Sequence, residues 1–173
     1  MTSTLPPDAP YRITVVCLGN ICRSPMGEVV LRHRLDQAGL GARVVVDSAG
    51  TGDWHIGHDA DPRARATLDT HGYVHDRRAR QITPNWFFEI DLVLAMDAAN
   101  YADLERLIER SGQAPQLRMF RSYDPTLADL DPTDARLDVP DPYYGGPEGF
   151  VEVLHMLERA ADGIVDELAR QLS

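Results

Sequence analysis

The sequence predicts one doubly wound α/β domain, with a four-stranded parallel sheet flanked by helices and a functional loop after the first strand. Short apolar, β-rich runs alternate with longer segments of helical spacing along the whole chain after residue 10. That alternation marks βαβ units, which need a parallel sheet covered on both faces. The 173 residues suffice for one domain with a sizeable core, and no repeat or low-complexity tract breaks the pattern.

Each element has its own signal. Residues 1–10 (MTSTLPPDAP) lack the basic start and apolar centre of a signal peptide and read as a flexible, Pro-rich lead-in, so the domain is expected over 11–173. Residues 11–18 (YRITVVCL) form an apolar first strand. Met26, Val29, Val30, Leu31 and Leu35 make a helical stripe over 25–40, ended by Gly39 and Gly41. Residues 43–48 (RVVVDS) read as a second strand. Asp61 and Pro62 open a helix to about residue 72, with Pro in the first turn. Residues 91–96 (DLVLAM) form a third strand. A helix over 97–112 follows, with Asp97 and Asn100 read only as capping residues and Leu104, Leu107 and Ile108 turned inward. Residues 116–120 are a weak fourth strand. Residues 124–141 are irregular and carry six Asp, most of them expected to be solvated. Residues 148–172 form a terminal amphipathic helix.

Composition excludes several classes. A 43% hydrophobic and 25% charged chain is ordinary for a soluble globular protein. No apolar run approaches the ~18 residues of a membrane helix. The net charge of −10 argues against a nucleic-acid binder. All 17 basic residues are Arg, which fits a GC-rich genome. Binding of an anionic substrate must therefore be local, against the overall field. Two cysteines cannot build a disulfide scaffold, so a reducing, cytoplasmic setting is expected, with signal-less export left open.

Both cysteines lie in VVCLGNICRSP, residues 15–25. A C-x₄-C pair without a second pair or spaced His is a poor zinc site. The Cys-x₅-Arg spacing of Cys17 and Arg23 is weak alone, and a buried structural thiol is the bland reading. Its context is stronger: a strand, then Gly19 and Asn20, then a helix start at Ser24-Pro25. Gly and Asn tolerate positive φ, so successive N–H groups can face one concavity. The helix start adds unpaired donors and a positive dipole end. Arg23 can grip two oxygens at once. Such a cradle suits a tetrahedral dianion and would lower the pKa of Cys17 toward the ~3.5–7.5 range of activated thiols. Ser24 can donate to the sulfur.

CLGNICRSP resembles the signature loop of the low-molecular-weight protein tyrosine phosphatases. DSAGTGDWHIG (47–57), DPRA (61–64), HGY (71–73), ARQI (79–82), MDAAN (96–100) and DPYYGG (141–146) match that family in order. The resemblance covers nearly the whole chain after Tyr11 and points to a bacterial, actinobacterial-type member. It implies hydrolysis of phosphotyrosine through a phosphocysteine on Cys17, with Arg23 as clamp, Ser24 assisting, and no cofactor or metal. Among Asp124, Asp129, Asp131, Asp134, Asp138 and Asp141, residue chemistry leaves the acid open; the resemblance selects Asp141.

The resemblance also places Leu18, Gly19, Asn20, Ile21 and Cys22 around the phosphate, and Trp54, Tyr143 and Tyr144 as walls of a phosphotyrosine slot. Ile21 favours an aryl phosphate, because phosphoarginine-specific relatives tend to carry Thr there. Asn20 and Ser48 match a loop-supporting hydrogen-bond network. Cys22 is a candidate redox partner that would trap an oxidised Cys17 as a disulfide. The chain departs from the family before ARQ: it reads HDRRARQ, with Arg77 where a His is usual and His75 displaced by two positions. Arg77, Arg78 and Arg80 read as a solvated basic edge. Implied partners are tyrosine-phosphorylated proteins and a cognate tyrosine kinase, with no nucleic acid and no membrane, for a monomer or weak dimer. Two other readings stand beside this one: an arsenate reductase of the same fold using an external thiol, and a non-catalytic phosphopeptide-binding module.

Overall fold

The computed structural model describes residues 9–172, so residues 1–8 of the expected lead-in lie outside the described residues. Four parallel strands form one sheet in the order β2-β1-β3-β4. They are β1 (Tyr11–Cys17), β2 (Val44–Gly50), β3 (Leu92–Ala95) and β4 (Gln116–Met119). The four long helices are α1 (Arg23–Gln37), α2 (Pro62–Thr70), α3 (Ala98–Ser111) and α4 (Pro147–Leu172). The chain moves from β1 outward to β2, then returns across β1 to β3. The carboxyl ends of β1 and β3 therefore flank a topological switch point, where open α/β sheets bind ligands.

Both sheet faces are apolar because both are covered. On one face Ile13, Val15, Val46 and Leu94 pack against Met26, Val30 and Leu31 of α1 and Phe150, Leu154 and Leu157 of α4. On the other, Val16, Ala49, Val93 and Ala95 meet Phe87, Leu104 and Leu137. Burial of about ten such side chains outweighs any single polar tie described below.

The elements match their expected types, with informative shifts at the ends. Helix α1 begins at Arg23, ahead of the expected residue 25, because Pro25 then falls in the first turn, where it forfeits no hydrogen bond. Strand β2 continues two residues further, to Gly50, because Ala49 and Gly50 pair in register with Val16 and Cys17. That extension sets Ser48 and Gly50 beside the phosphate loop. A 3₁₀ turn at Pro84–Phe88, unforeseen in the sequence, buries Phe87 against the second face. Asp97 and Gly112 cap α3, the latter left-handed at φ 71°.

The six Asp of residues 124–141 are mostly not idle solvated side chains, as the sequence suggested. Asp124, Asp131, Asp134 and Asp141 each accept from the backbone N–H two residues on, opening tight turns. Asp138 accepts from Ala98 N–H at the start of α3. An irregular segment must place its backbone donors somewhere, and short carboxylates supply the acceptors.

Candidate active site

Cys17 ends β1 at the switch point and is buried. Asn20 stands at φ 56°, the left-handed conformation expected of it. This turns its N–H toward Cys17 Sγ, 3.3 Å away. Gly19 does not take a positive φ, contrary to expectation. It leaves space instead, since a Cβ there would lie 3.0 Å from the His55 ring, which would have to give by a few tenths of an ångström. Gly50 serves the same purpose from β2: a Cβ would lie 2.7 Å from the carbonyl oxygen of Leu18.

A directional hydrogen-bond chain lies beneath the loop. The Asn20 amide donates to Ser24 Oγ at 2.8 Å and to Ser48 Oγ at 3.0 Å. Its carbonyl oxygen accepts from Arg80 N–H at 2.9 Å. Ser48 Oγ in turn donates to Glu28 Oε1 at 3.1 Å. With Asn20 donating to it, Ser24 keeps its own proton to give. The nearer acceptor is Cys17 Sγ at 3.0 Å, against the Ala49 carbonyl at 3.4 Å. Every side chain in the chain from Cys17 to Glu28 is buried. A polar network satisfied in this way is rigid and fixes one loop shape.

Glu28 was not singled out in the sequence, although a lone carboxylate between Met26 and Val29 on an apolar stripe was a usable signal. Burial pushes its carboxyl pKa up, while Arg32 and Arg77 oppose that shift. Arg32 donates to it at 2.7 Å, Arg77 approaches to 3.6 Å, and His75 Nε2 to 3.7 Å. The displaced His75 and the substituting Arg77 thus converge on one carboxylate. The expected solvated basic edge is corrected in part: Arg78 is exposed, but Arg77 ties to Glu28, and Arg80 donates to the Ser48 carbonyl and stacks on Trp86 at 4.8 Å.

Arg23 is buried at the start of α1. Its Nη1 donates to Asp97 Oδ2 at 2.6 Å and to the Val139 carbonyl at 3.0 Å; its Nη2 lies 3.6 Å from Asp141 Oδ2. Burial alone would lower its pKa, but Cys17, Asp97 and Asp141 outweigh burial and hold the guanidinium charged. Asp97 caps α3 through Asn100 N–H, as expected, and also orients Arg23, which was not expected. Its place at the carboxyl end of β3, across the switch point from Cys17, was the available clue.

These groups open into a cleft of about 390 Å³. Leu18, Gly19, Ile21, Cys22, Trp54, Tyr143 and Tyr144 line it with Cys17, Arg23 and Asp141. Asn20 and Ser24 do not line it; both are turned into the supporting network. His55 is an additional wall residue that sequence reasoning missed. Trp54 is 67% exposed and Tyr144 90%, so both stand at the rim, while Tyr143 sits lower. Cys17 and Cys22 are both free and buried, yet unequal. Burial, then the nearby Asp61, Cys17 and Asp141, push the Cys22 thiol pKa far up, so it stays protonated.

The loop bearing Asp141 is strapped from outside. Arg63 on α2 donates to the carbonyls of Tyr143 at 2.9 Å and Gly145 at 3.1 Å. It is held by Asp61 and stacks over Phe150 at 4.8 Å. A larger hollow of about 420 Å³ lies elsewhere, beside Arg12, Val45, Asp47 and Trp86. It contains no cysteine, its Thr14 hydroxyl donates to Asp47, and its Arg80 is already held by Asp47.

A buried thiol at a strand end, an amide loop, a charged Arg six positions on and an adjacent carboxylate define a cysteine-dependent phosphatase. Residues 12–173 match the family described as low molecular weight phosphotyrosine protein phosphatase, and the chain belongs to that family. It is 51% identical to a low molecular weight protein-tyrosine-phosphatase of Streptomyces coelicolor, over 94% of this chain and 96% of that one. It is 44% identical to low molecular weight protein-tyrosine phosphatase A of Mycobacterium tuberculosis, over 95% of each chain. A crystal structure of a protein tyrosine phosphatase from Entamoeba histolytica superposes with a TM-score of 0.81 at 34% identity, covering 93% of this chain and 98% of that one.

Proposed function

We propose that this protein hydrolyses phosphotyrosine in proteins, and small aryl phosphates, by two displacements at phosphorus. One observation carries the reading: Cys17, Arg23 and Asp141 face a single cleft walled by Ile21, Trp54 and Tyr143. In the first step the Cys17 thiolate attacks phosphorus, the P–O bond to the phenol breaks, and the Asp141 carboxyl gives the leaving oxygen its proton. In the second, the Asp141 carboxylate takes a proton from water as that water attacks phosphorus. The P–S bond breaks, the thiolate returns and phosphate departs. Arg23, the loop amides and the start of α1 stabilise the equatorial oxygens in both steps.

The aromatic walls support an aryl over an alkyl ester, since a ring can fill the space between them. Among the described residues no helix is long and apolar enough to cross a membrane. The substrates are tyrosine-phosphorylated proteins opposed to a cognate tyrosine kinase, in a reducing, cytoplasmic setting suited to two free thiols. The test is turnover of p-nitrophenyl phosphate. It is expected to proceed in the presence of chelators, to be blocked by vanadate, and to fall by at least ~10⁴-fold in Cys17→Ser. Near-full activity in that variant would sink the mechanism.

A further inference from the structure

A second hollow adjoins the reaction cleft, across a ridge made by Leu18 and Trp54. It measures about 300 Å³ and is lined by those two residues together with Thr51, Leu107, Arg106 and Arg110 of α3. Leu18 and Trp54 line both hollows, and at 43% and 67% exposure their outer surfaces are open to a ligand. A peptide with its phosphotyrosine in the cleft can run over this rim, which would bring a residue close to the tyrosine into the second hollow.

Three charged side chains line it: Asp103, Arg106 and Arg110. Asp103 is taken by Arg106 as an ion pair within one turn of α3. Arg110 is exposed and makes no ion pair among the described residues. The hollow thus carries one uncompensated positive charge on a chain of net charge −10. An anionic substrate is repelled by that overall field and gains most from a cation placed beside the cleft. Leu18, Leu107 and Trp54 offer apolar surface for the stem of the same side chain.

We infer that this hollow is a substrate subsite for an acidic side chain, Asp or Glu, within a few residues of the phosphotyrosine. The inference rests on the phosphotyrosine reading above and names the substrate class that reading leaves open. Arg110 is its anion-binding residue, and the Leu18–Trp54 ridge sets the path between the two hollows.

The test compares kcat/KM for p-nitrophenyl phosphate, a neutral phosphotyrosine peptide, and two peptides carrying Glu before or after the tyrosine. The wild type should favour one Glu peptide over the neutral one by about 3- to 10-fold at low salt, with the preference shrinking at high salt. Arg110→Ala should remove most of that preference and Arg110→Glu should reverse it, while p-nitrophenyl phosphate turnover is unchanged in both. A preference that survives Arg110→Glu overturns the inference. So does an equal loss on p-nitrophenyl phosphate, or a wild type that favours the neutral peptide. Binding of the same peptides to Cys17→Ser separates the two readings. Glu preference in binding without any wild-type turnover would remove the phosphatase reading and leave the subsite standing; turnover without Glu preference would do the reverse.

Discussion

The phosphate loop and the acid loop meet at Arg23, yet they are held in opposite ways. The phosphate loop is gripped from beneath by buried side chains: Ser24, Asn20, Ser48 and Glu28 form one continuous hydrogen-bonded chain. The acid loop is exposed, turned locally by its own Asp residues, and strapped from outside by arginines that grip its carbonyls. Arg121 takes the carbonyls of Arg136 and Asp138 and Arg63 those of Tyr143 and Gly145, while the buried Arg23 takes Val139 from within. A buried, satisfied network gives one rigid geometry. Exposed backbone straps give a segment that opens more cheaply. The nucleophile and anion cradle are thus built to hold still, while the proton donor rides on a segment that can adjust to the leaving group.

The comparison predicts that damage to the acid loop is felt through the leaving group, and damage to the phosphate loop is not. The largest effect on the acid side is Asp141→Ala. It should lower kcat by about 10²- to 10³-fold for phenyl phosphate, the range of a lost general acid. For p-nitrophenyl phosphate, whose phenolate leaves without much help, the loss should be far smaller. Equal losses on both esters would reject Asp141 as the acid and erase the distinction between the loops.

The contrast also governs what could be read in advance. Cys17, Asn20 and Arg23 are legible because strand, turn and helix start follow one another without interruption, so local chemistry suffices. Of the distant partners, Ser48 came only through the resemblance, and Glu28 and the ties of Asp97 and Arg80 were not foreseen, because such meetings depend on the fold: Asp97 reaches Arg23 across 74 residues and Arg80 reaches Asn20 across 60. The two-residue extension of β2 is equally hidden, since Ala49 and Gly50 carry no strand signal and are drawn in by pairing with β1. Asp141 was chosen from six Asp only by family resemblance. In the folded chain it is the Asp of that segment that approaches Arg23, at 3.6 Å. Arg63 showed only as part of the DPRA match beside Asp61; its grip on the Tyr143 and Gly145 carbonyls left no sign, because carbonyls have no sequence.

On the phosphate-loop side the matching test is Asn20→Ala. The change places a Cβ residue without local side-chain support at φ 56° and removes the amide that joins Ser24 to Ser48. Leaving buried hydroxyls short of a partner should cost about 1–3 kcal/mol, read as a lower urea midpoint at unchanged m-value. Misplacing the thiolate by a fraction of an ångström should lower kcat by about 10- to 100-fold. Unlike Asp141→Ala, the loss should be the same for phenyl and p-nitrophenyl phosphate, since the nucleophile serves both. A loss confined to phenyl phosphate would mean that the network positions the acid, and the proposed division between the loops would fail.

The smallest and sharpest case is Arg63→Ala, far from the reacting atoms in sequence and joined to them only through a strap. Arg63 touches neither Cys17 nor Arg23, so the phosphate loop should be untouched. Its loss frees the Tyr143 and Gly145 carbonyls and removes the guanidinium that stacks on Phe150 and Tyr143. The Asp141 carboxylate would then sample more positions, fewer of them within reach of the leaving oxygen. We expect kcat to fall by about 3- to 10-fold for phenyl phosphate and to stay nearly constant for p-nitrophenyl phosphate. Arg63→Lys should recover only part of the loss, because one ammonium cannot span two carbonyls and the Asp61 carboxylate as a planar fork does. A parallel decline on both esters would place Arg63 in general folding rather than in holding the acid. Full rescue by Lys would show that charge, not the two-carbonyl grip, is what the acid loop needs.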